Sequence, residues 1–206
     1  MSEIIQGSPE WLALRAGKFT ASRAAGLMAK TKSGPSTSRA NLIALLAIER
    51  MTGQCVETYT NAAMQRGSDL EQFAREAYED SKLSIVEQVG FITHPSLDYV
   101  GCSPDGLVGD DGMAEFKCPS AEARHLEALL SGAHAVEYKW QLQFQLWVTG
   151  RSWVDAVSYD PRWPEKHRLA IVRVERDETA IAELQAECIK AHGEVNEIIR
   201  KLDALP

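Results

Sequence analysis

No run of apolar residues in this chain approaches the ~18 that a membrane-spanning helix needs, so the sequence predicts no transmembrane helix and no membrane partner. The opening MSEIIQGSPEW lacks a basic segment leading into an apolar core, which predicts no secretion signal and a cytoplasmic protein. Cysteine is sparse and dispersed: Cys55, Cys102, Cys118 and Cys188 form no CxxC pair. That argues against a zinc or iron–sulfur site and for reduced thiols. The histidines (His94, His125, His134, His167 and His192) show no metal-ligand spacing and none pairs with a Ser or Cys nucleophile motif. Neither GxGxxG nor GxxxxGK[ST] occurs, so nucleotide-driven chemistry has no phosphate loop to use. The last absence is local. From Trp11 to Ile48 there is no acidic residue, while Arg15, Lys18, Arg23, Lys30, Lys32 and Arg39 supply six positive charges. Residues 177–206 carry seven acids against three bases. A net charge of −7 therefore conceals an asymmetry that can present a basic groove to a polyanion, or simply a solvated basic face.

What is present is the composition of an ordinary globular chain, 45% hydrophobic and 25% charged over 206 residues, without repeats or linkers. It reads as one α/β domain spanning residues 1–206. Ser8 followed by Pro9 marks a helix start, and that helix ends near Gly17. A short helix opened by Thr20 or Ser22 runs to about Ala29. Thr31 to Ser38 is a loop by composition, with Ser38 capping a helix whose apolar stripe is Leu42, Leu45, Leu46 and Ile48. Asn61 to Lys82 reads as a long helix with Met64, Leu70, Phe73, Ala74 and Ala77 turned mostly inward. Strands are expected at Ile85 to Thr93, Leu97 to Cys102, Leu107–Val108 and Met113 to Lys117. Helices follow at Ser120 to Leu130 and Val136 to Thr149, then strands at Ser152 to Tyr159 and Leu169 to Val174. From about Asp177 a long helix carries Ile181, Leu184, Cys188, Ala191, Val195, Ile198 and Leu202 on one stripe, which reads as core or subunit packing.

The chemistry concentrates in CSPDGLVGDDGMAEFKCP, residues 102–119. Side chains two apart in a strand share a face, so Glu115 and Lys117 point one way and Phe116 the other. The Gly109–Gly112 segment is a hairpin signal that folds the Asp105 end of one strand beside the Glu115 end of the next. Two carboxylates and an ammonium then converge, which suits Mg²⁺, an ion that takes oxygen ligands and needs only one or two carboxylates. Taken alone, Pro-Asp-Gly is also a common turn and Glu-x-Lys a common surface pair. Gly67 sits mid-helix, where glycine costs about 1 kcal/mol against alanine, and marks close approach of something. Glu71 lies one turn further on and is a candidate third acid. Tyr138, Gln141 and Gln145 recur at helical spacing opposite Trp140, Phe144, Trp147 and Val148, with Gln143 on another face. Such a stripe can position a phosphate or an attacking water. With triad and nucleotide chemistry set aside, metal-assisted hydrolysis remains. There Lys117 would position or deprotonate the water, or stabilise phosphorane-like charge.

Asp105, Glu115 and Lys117 resemble the PD-(D/E)xK nuclease superfamily. More narrowly, the chain resembles the phage lambda exonuclease family of viral recombination exonucleases. The matching blocks are Trp11-Leu-Ala-Leu-Arg15 with Thr20-Ala-Ser22, Cys102-Ser-Pro-Asp105-Gly-Leu, Glu115-Phe-Lys117-Cys-Pro119, Gln141-Leu-Gln143 followed by Trp147-Val-Thr149, and Tyr159-Asp-Pro-Arg162. The resemblance implies a restriction-endonuclease-like core, a central mixed β-sheet flanked by helices. It implies a 5′→3′ exonuclease on linear double-stranded DNA that releases 5′-mononucleotides and leaves a 3′ overhang. It also implies a toroidal homotrimer working with a phage single-strand annealing protein in the bacterial host cell. Carried over by position, Asp105, Glu115 and the Phe116 carbonyl would be Mg²⁺ ligands in a two-ion site that also accepts Mn²⁺, with Lys117 catalytic. Glu71 and Gln141 would stand near the metals and the attacking water. Arg15 and Ser22 would hold a terminal 5′-phosphate, which a guanidinium can grip bidentately. Tyr138 falls in a matching block as a substrate contact. The Thr31–Arg39 loop departs most from the family, with Gly34-Pro35 and few lysines. Competing readings are a PD-(D/E)xK endonuclease, a RecB-like nuclease lacking an iron–sulfur cluster, and a catalytically inactive DNA-binding module.

Overall fold

A computed structural model describes residues 6–32, 34–56 and 62–206. The N-terminal half is mostly helical and its starts follow the capping residues. Helix α1 (Pro9–Arg15) begins with Ser8 Oγ accepting from Trp11 N at 3.2 Å and Pro9 in the first turn. A two-residue strand β1 (Phe19–Thr20), a 3₁₀ turn (Ala21–Arg23) and helix α2 (Ala24–Met28) follow, where one short helix was expected. Neither Thr20 nor Ser22 caps α2; their hydroxyls instead meet each other at 3.3 Å. The expected loop over 31–38 contains a ribbon, β2 (Lys30–Thr31) paired antiparallel to β3 (Gly34–Pro35). Helix α3 (Thr37–Thr52) starts earlier than expected, because Ser36 rather than Ser38 takes the Arg39 amide at 3.2 Å. It stops at Gly53, whose φ of 68° only glycine adopts cheaply. Its buried stripe runs through Leu42, Ile43, Leu46 and Ala47, and Ile48 is turned out.

Helix α4 (Ala62–Lys82) confirms the long helix; Asn61 and the side chain of Met64 lie outside the described residues. Ala74 and Tyr78 are its buried anchors, whereas Phe73 is 52% exposed. The single strand expected over Ile85 to Thr93 is two strands in different sheets, β4 (Val86–Glu87) and β5 (Ile92–His94). Strand β6 (Leu97–Cys102) pairs with β5 and, in parallel, with β1. Strands β7 (Gly106–Val108) and β8 (Gly112–Lys117) form the expected hairpin, with Val108 opposite Gly112. Gly109 takes φ 57° at the turn, and Arg151 ties the turn shut with bonds to the Gly109 and Gly112 carbonyls at 2.9 and 2.6 Å.

Helices α5 (Glu122–Ser131), α6 (Ala133–Glu137) and α7 (Lys139–Thr149) form the crossover that a parallel strand pair requires. The helix expected over 136–149 is broken at Tyr138. Strand β9 (Trp153–Tyr159) then lies parallel to β8, with Ala156 opposite Glu115, and β10 (Leu169–Glu175) closes the edge. The resulting sheet has the order β10-β9-β8-β7-β4, mixed in direction and covered by helices on both faces. On one face α4 packs Ala74 and Tyr78 onto Ala114, Phe116 and Val157; on the other, α7 packs Leu142 and Leu146 onto Met113, Val154 and Ala156. The long helix α8 (Glu178–Asp203) buries its stripe as far as Val195, partly Ile198, and leaves Leu202 exposed. Among the described residues no helix is long and apolar enough to cross a membrane.

Two cations of the acid-free stretch are structural. Arg39 of α3 is 4% exposed and pairs with Glu187 and Glu194 of α8. Arg23 grips the fully buried Glu49 at 2.6 and 2.8 Å, and the same carboxylate receives Gly17 N at 2.9 Å and Val56 N at 3.1 Å. The basic surface is therefore narrower than six charges suggested. Arg15, Lys18, Lys30 and Lys32 make no ion pair among the described residues. Burial opposes ionisation of Glu49, but Arg23 and the main-chain amides win and hold its carboxyl below the usual range. Its stabilising effect is thus fully present above the unfolded value of about 4.3 and is lost as pH falls through the lower folded value. Glu49→Gln, which leaves Arg23 unpaired, is expected to cost about 3–5 kcal/mol at pH 7. In urea unfolding the gap between parent and variant should narrow below about pH 4; a pH-independent gap would contradict the assignment.

Candidate active site

The site is built on the period-two alternation of β8. Ala114 and Phe116 enter the α4 core, so Glu115 and Lys117 face α7. Lys117 Nζ lies 2.7 Å from Glu115 Oε1 and 4.8 Å from the centre of the Tyr138 ring. Asp105, at the foot of β7, accepts from the Phe116 amide at 2.7 Å, which fixes it beside the same strand end. Gln141 donates to Glu115 Oε1 at 2.5 Å and Gln145, one turn along α7, donates to Oε2 at 2.7 Å. Both oxygens of this buried carboxylate are thereby aimed. Gln145 is the residue that sequence reasoning noted in the stripe but did not assign; its four-residue spacing from Gln141 was the available signal. It is fully buried, and its Oε1 has no partner. Gln143, on the other face, is structural: it bonds Glu175 O and Asp177 N at 2.8 and 2.9 Å.

Glu71 lines a cleft of about 570 Å³ together with Gly67, Phe116, Lys117 and Tyr138. Among the described residues nothing lies within 4 Å of where a Gly67 side chain would begin, so no neighbour within them makes the close approach that its mid-helix position suggested. Burial, and next the charge of Glu115, push the Glu71 carboxyl up; the same two causes push Asp105 well above the usual carboxylate range. Burial works against the Lys117 ammonium, but Glu115 and Asp105 outweigh it and hold the group protonated. Burial and the Glu71 charge push the Cys118 thiol up to about 12, which makes it neither a nucleophile nor a ready soft-metal ligand at neutral pH.

Three carboxylates thus face one ammonium. Among the described residues no group of three or more His, Cys, Asp or Glu forms a ready metal cage. What the site offers instead is the adjacent Asp105 and Glu115 carboxylates beside an open cleft, with excess negative charge. That fits a hard divalent cation that keeps part of its water.

The second cluster adjoins the first. Arg15 Nη2 lies 3.2 Å from Ser22 Oγ, and its guanidinium stacks 4.1 Å from the centre of the Trp11 ring. Trp11 Nε1 reaches Ser103 Oγ at 2.9 Å, two residues before Asp105. Burial, then Arg23, lowers the Arg15 pKa. A desolvated guanidinium without a carboxylate partner is a receptor for an anion.

A five-stranded mixed sheet carrying an acid–acid–lysine hairpin between helices defines the PD-(D/E)xK nuclease class. Residues 10–152 match the YqaJ-like viral recombinase domain, and the chain belongs to that family. It is 44% identical to LHK-Exo, solved in complex with dAMP, over 95% of this chain and 96% of that one, with a TM-score of 0.86. A second structure of this alkaline exonuclease, from Laribacter hongkongensis, gives 43% identity over the same shares and the same TM-score. A phage-related exonuclease from Haemophilus somnus 129PT, 14% identical over 90% of this chain and 96% of that one, shares the fold with a TM-score of 0.74. A comparison with curated proteins returns no match. The lambda-type resemblance read from the sequence holds.

Proposed function

We propose that the chain is a Mg²⁺-dependent 5′→3′ exonuclease of phage-type recombination, acting on linear double-stranded DNA, releasing 5′-mononucleotides and leaving a 3′ overhang. The observation that carries this reading is the Trp11–Ser103 hydrogen bond, which sets an anion receptor beside the acid–lysine hairpin. A divalent ion held by Asp105, Glu115 and the Phe116 carbonyl would supply Lewis acidity toward the phosphate and its leaving oxygen. Gln141 and Gln145 hold Glu115 in the ligating orientation. Lys117, kept cationic by its neighbours, acts by stabilising charge on the phosphate more than by abstracting a proton. Glu71 and Tyr138 wall the cleft through which the scissile nucleotide enters. Arg15 and Ser22 hold the terminal 5′-phosphate and so make cleavage depend on an end. The family and the LHK-Exo relationship support the exonuclease assignment, and the toroidal homotrimer and the annealing-protein partner belong to the same reading.

End-labelled linear duplex, incubated with Mg²⁺ or with EDTA, tests activity, polarity and metal dependence together. Nicking or linearisation of a closed circular duplex would favour the endonuclease reading instead. The Arg15 assignment predicts faster digestion of 5′-phosphorylated than of 5′-hydroxyl ends. Arg15→Ala should cut that preference about 10- to 100-fold, the worth of one charge-assisted contact. Equal rates on both ends in the parent would remove the phosphate pocket from the account. Sedimentation showing a stable monomer would do the same for the ring.

A further inference from the structure

Of the buried carboxylates outside the site just described, Asp160 is paired with two arginines that reach the chain leaving Lys117. Asp160 follows β9 and is fully buried. It receives Arg162 Nε at 2.9 and 3.1 Å, Arg162 Nη2 at 2.7 Å and the Arg162 amide at 3.1 Å, and it lies 3.5 Å from Arg66 Nη2. Both guanidiniums then turn to the same stretch of main chain. Arg66 Nη1 donates to the carbonyls of Cys118 and Pro119 at 3.2 and 3.0 Å. Arg162 Nη2 donates to those of Pro119 and Ser120 at 3.4 and 3.1 Å, and Nη1 to Glu122 at 2.8 Å. Three consecutive carbonyls directly after Lys117 are therefore held by donors that a single carboxylate aligns.

Arg66 belongs to α4, a little more than one turn before Glu71. Further along the same helix, the Tyr78 hydroxyl is 2.8 Å from the buried Asp155 of β9, which Arg173 also grips at 2.9 and 3.1 Å. Glu71 thus sits between two anchors, one tied to the exit of β8 and the other to its neighbouring strand. Among the described residues, Arg66 supplies the side-chain hydrogen bonds that join α4 to the segment leaving Lys117, and Arg162 holds the same segment from the other side.

We propose that Asp160, acting through Arg66 and Arg162, is a positioning residue that fixes the Lys117 end of β8 relative to Glu71 across the cleft. The inference rests on the acid–lysine reading of the site. Asp160→Asn keeps the shape of the side chain but removes the charge that aligns two guanidiniums. Arg66→Met keeps the stem without the donors, and Arg66→Lys restores one donor. A misplacement of about 1 Å in such a frame can cost roughly 100-fold in turnover.

The test is steady-state digestion of linear duplex, with kcat and KM resolved, well below each variant's melting transition. It is paired with hydrogen exchange of the metal-free protein. Asp160→Asn and Arg66→Met should lower kcat roughly 10- to 100-fold while KM for DNA stays within about twofold, and Arg66→Lys should recover part of kcat. Exchange should rise both in the segment around residues 116–121 and in α4 around Glu71. Variants that melt lower yet turn over at the parent rate would overturn the proposal. If Asp160→Asn does not fold, the Arg66 pair decides by the same criteria. Parent protein that digests no duplex sinks the exonuclease reading and not this one. Exchange then decides alone, and no change in either segment would refute the frame.

Discussion

Lys117→Ala is expected to lower kcat on linear duplex DNA by about 10²- to 10⁴-fold, with a much smaller change in KM. The ammonium sits 2.7 Å from Glu115 Oε1 on the strand that also positions Asp105 through the Phe116 amide. Among the described residues it is the cation that acts on Asp105, Glu115 and Glu71 together. Its neighbours hold it protonated, so what the substitution removes is fixed positive charge, which in the proposed mechanism stands where negative charge would develop, the kind of interaction that appears in kcat. The metal-free variant should also melt lower, because three carboxylates lose a counter-ion that they share, and divalent cation should recover part of the difference. Digestion unchanged by Lys117→Ala would show that the hairpin is not the reacting centre.

Asp105→Asn should move activity and stability in opposite directions. Burial and the charge of Glu115 both disfavour the Asp105 carboxylate, whose pKa is raised for that reason. An acid whose folded pKa is raised costs the fold stability as pH rises from its unfolded value of about 3.9 toward the folded one, so a neutral amide at this position removes a cost that is present at neutral pH. The amide oxygen of asparagine can still accept from Phe116, so the strand contact survives. Metal-free Asp105→Asn is expected to gain about 0.5–2 kcal/mol in urea or thermal unfolding. Its divalent-cation affinity should fall sharply and its Mg²⁺-dependent digestion should drop by about 10² or more. Parallel calorimetry with and without Mn²⁺ separates the two effects. A variant less stable than the parent without metal would mean that the carboxylates do not repel as the geometry indicates.

Elements whose shape depends on local chemistry were legible from the residues alone. Ser8-Pro9, Gly53, Gly132 and Gly150 delimit helices as their capping preferences dictate, and Gly109 turns the hairpin. Period-two alternation placed Glu115 and Lys117 on one face and Phe116 on the other without any tertiary information. What escaped was whatever a distant partner decides. Ile85 to Thr93 is rich enough in Ile, Val and Phe to read as one strand across Glu87-Gln88 and Gly90, yet its two ends pair with β7 and β6 in separate sheets. Ile48, Phe73 and Leu202 fit apolar stripes and are nevertheless exposed, because periodicity says which residues share a face and not how far the packing along that face extends. Glutamine ordinarily seeks water; Gln145 is buried because Glu115 arrives opposite it, and that meeting depends on β8 and α7 approaching across the sheet. Arg39 and Arg23 looked like free surface charge until Glu187, Glu194 and Glu49 were seen to reach them.

The position of β8 at the middle of its sheet has a consequence for synthesis. Its β7 edge is satisfied within a few residues of chain, but its other edge waits for β9, which emerges only after α5, α6 and α7. A nascent chain halted in α5 would already contain Asp105, Glu115 and Lys117, yet neither Gln141 nor Gln145 to aim the carboxylate and no Asp160 to align the strand exit. Its exposed strand edge would be drawn to other chains before it met a phosphodiester. Interrupted translation would therefore yield material for the cell's chaperones and proteases, not a loose cutting activity beside the genome.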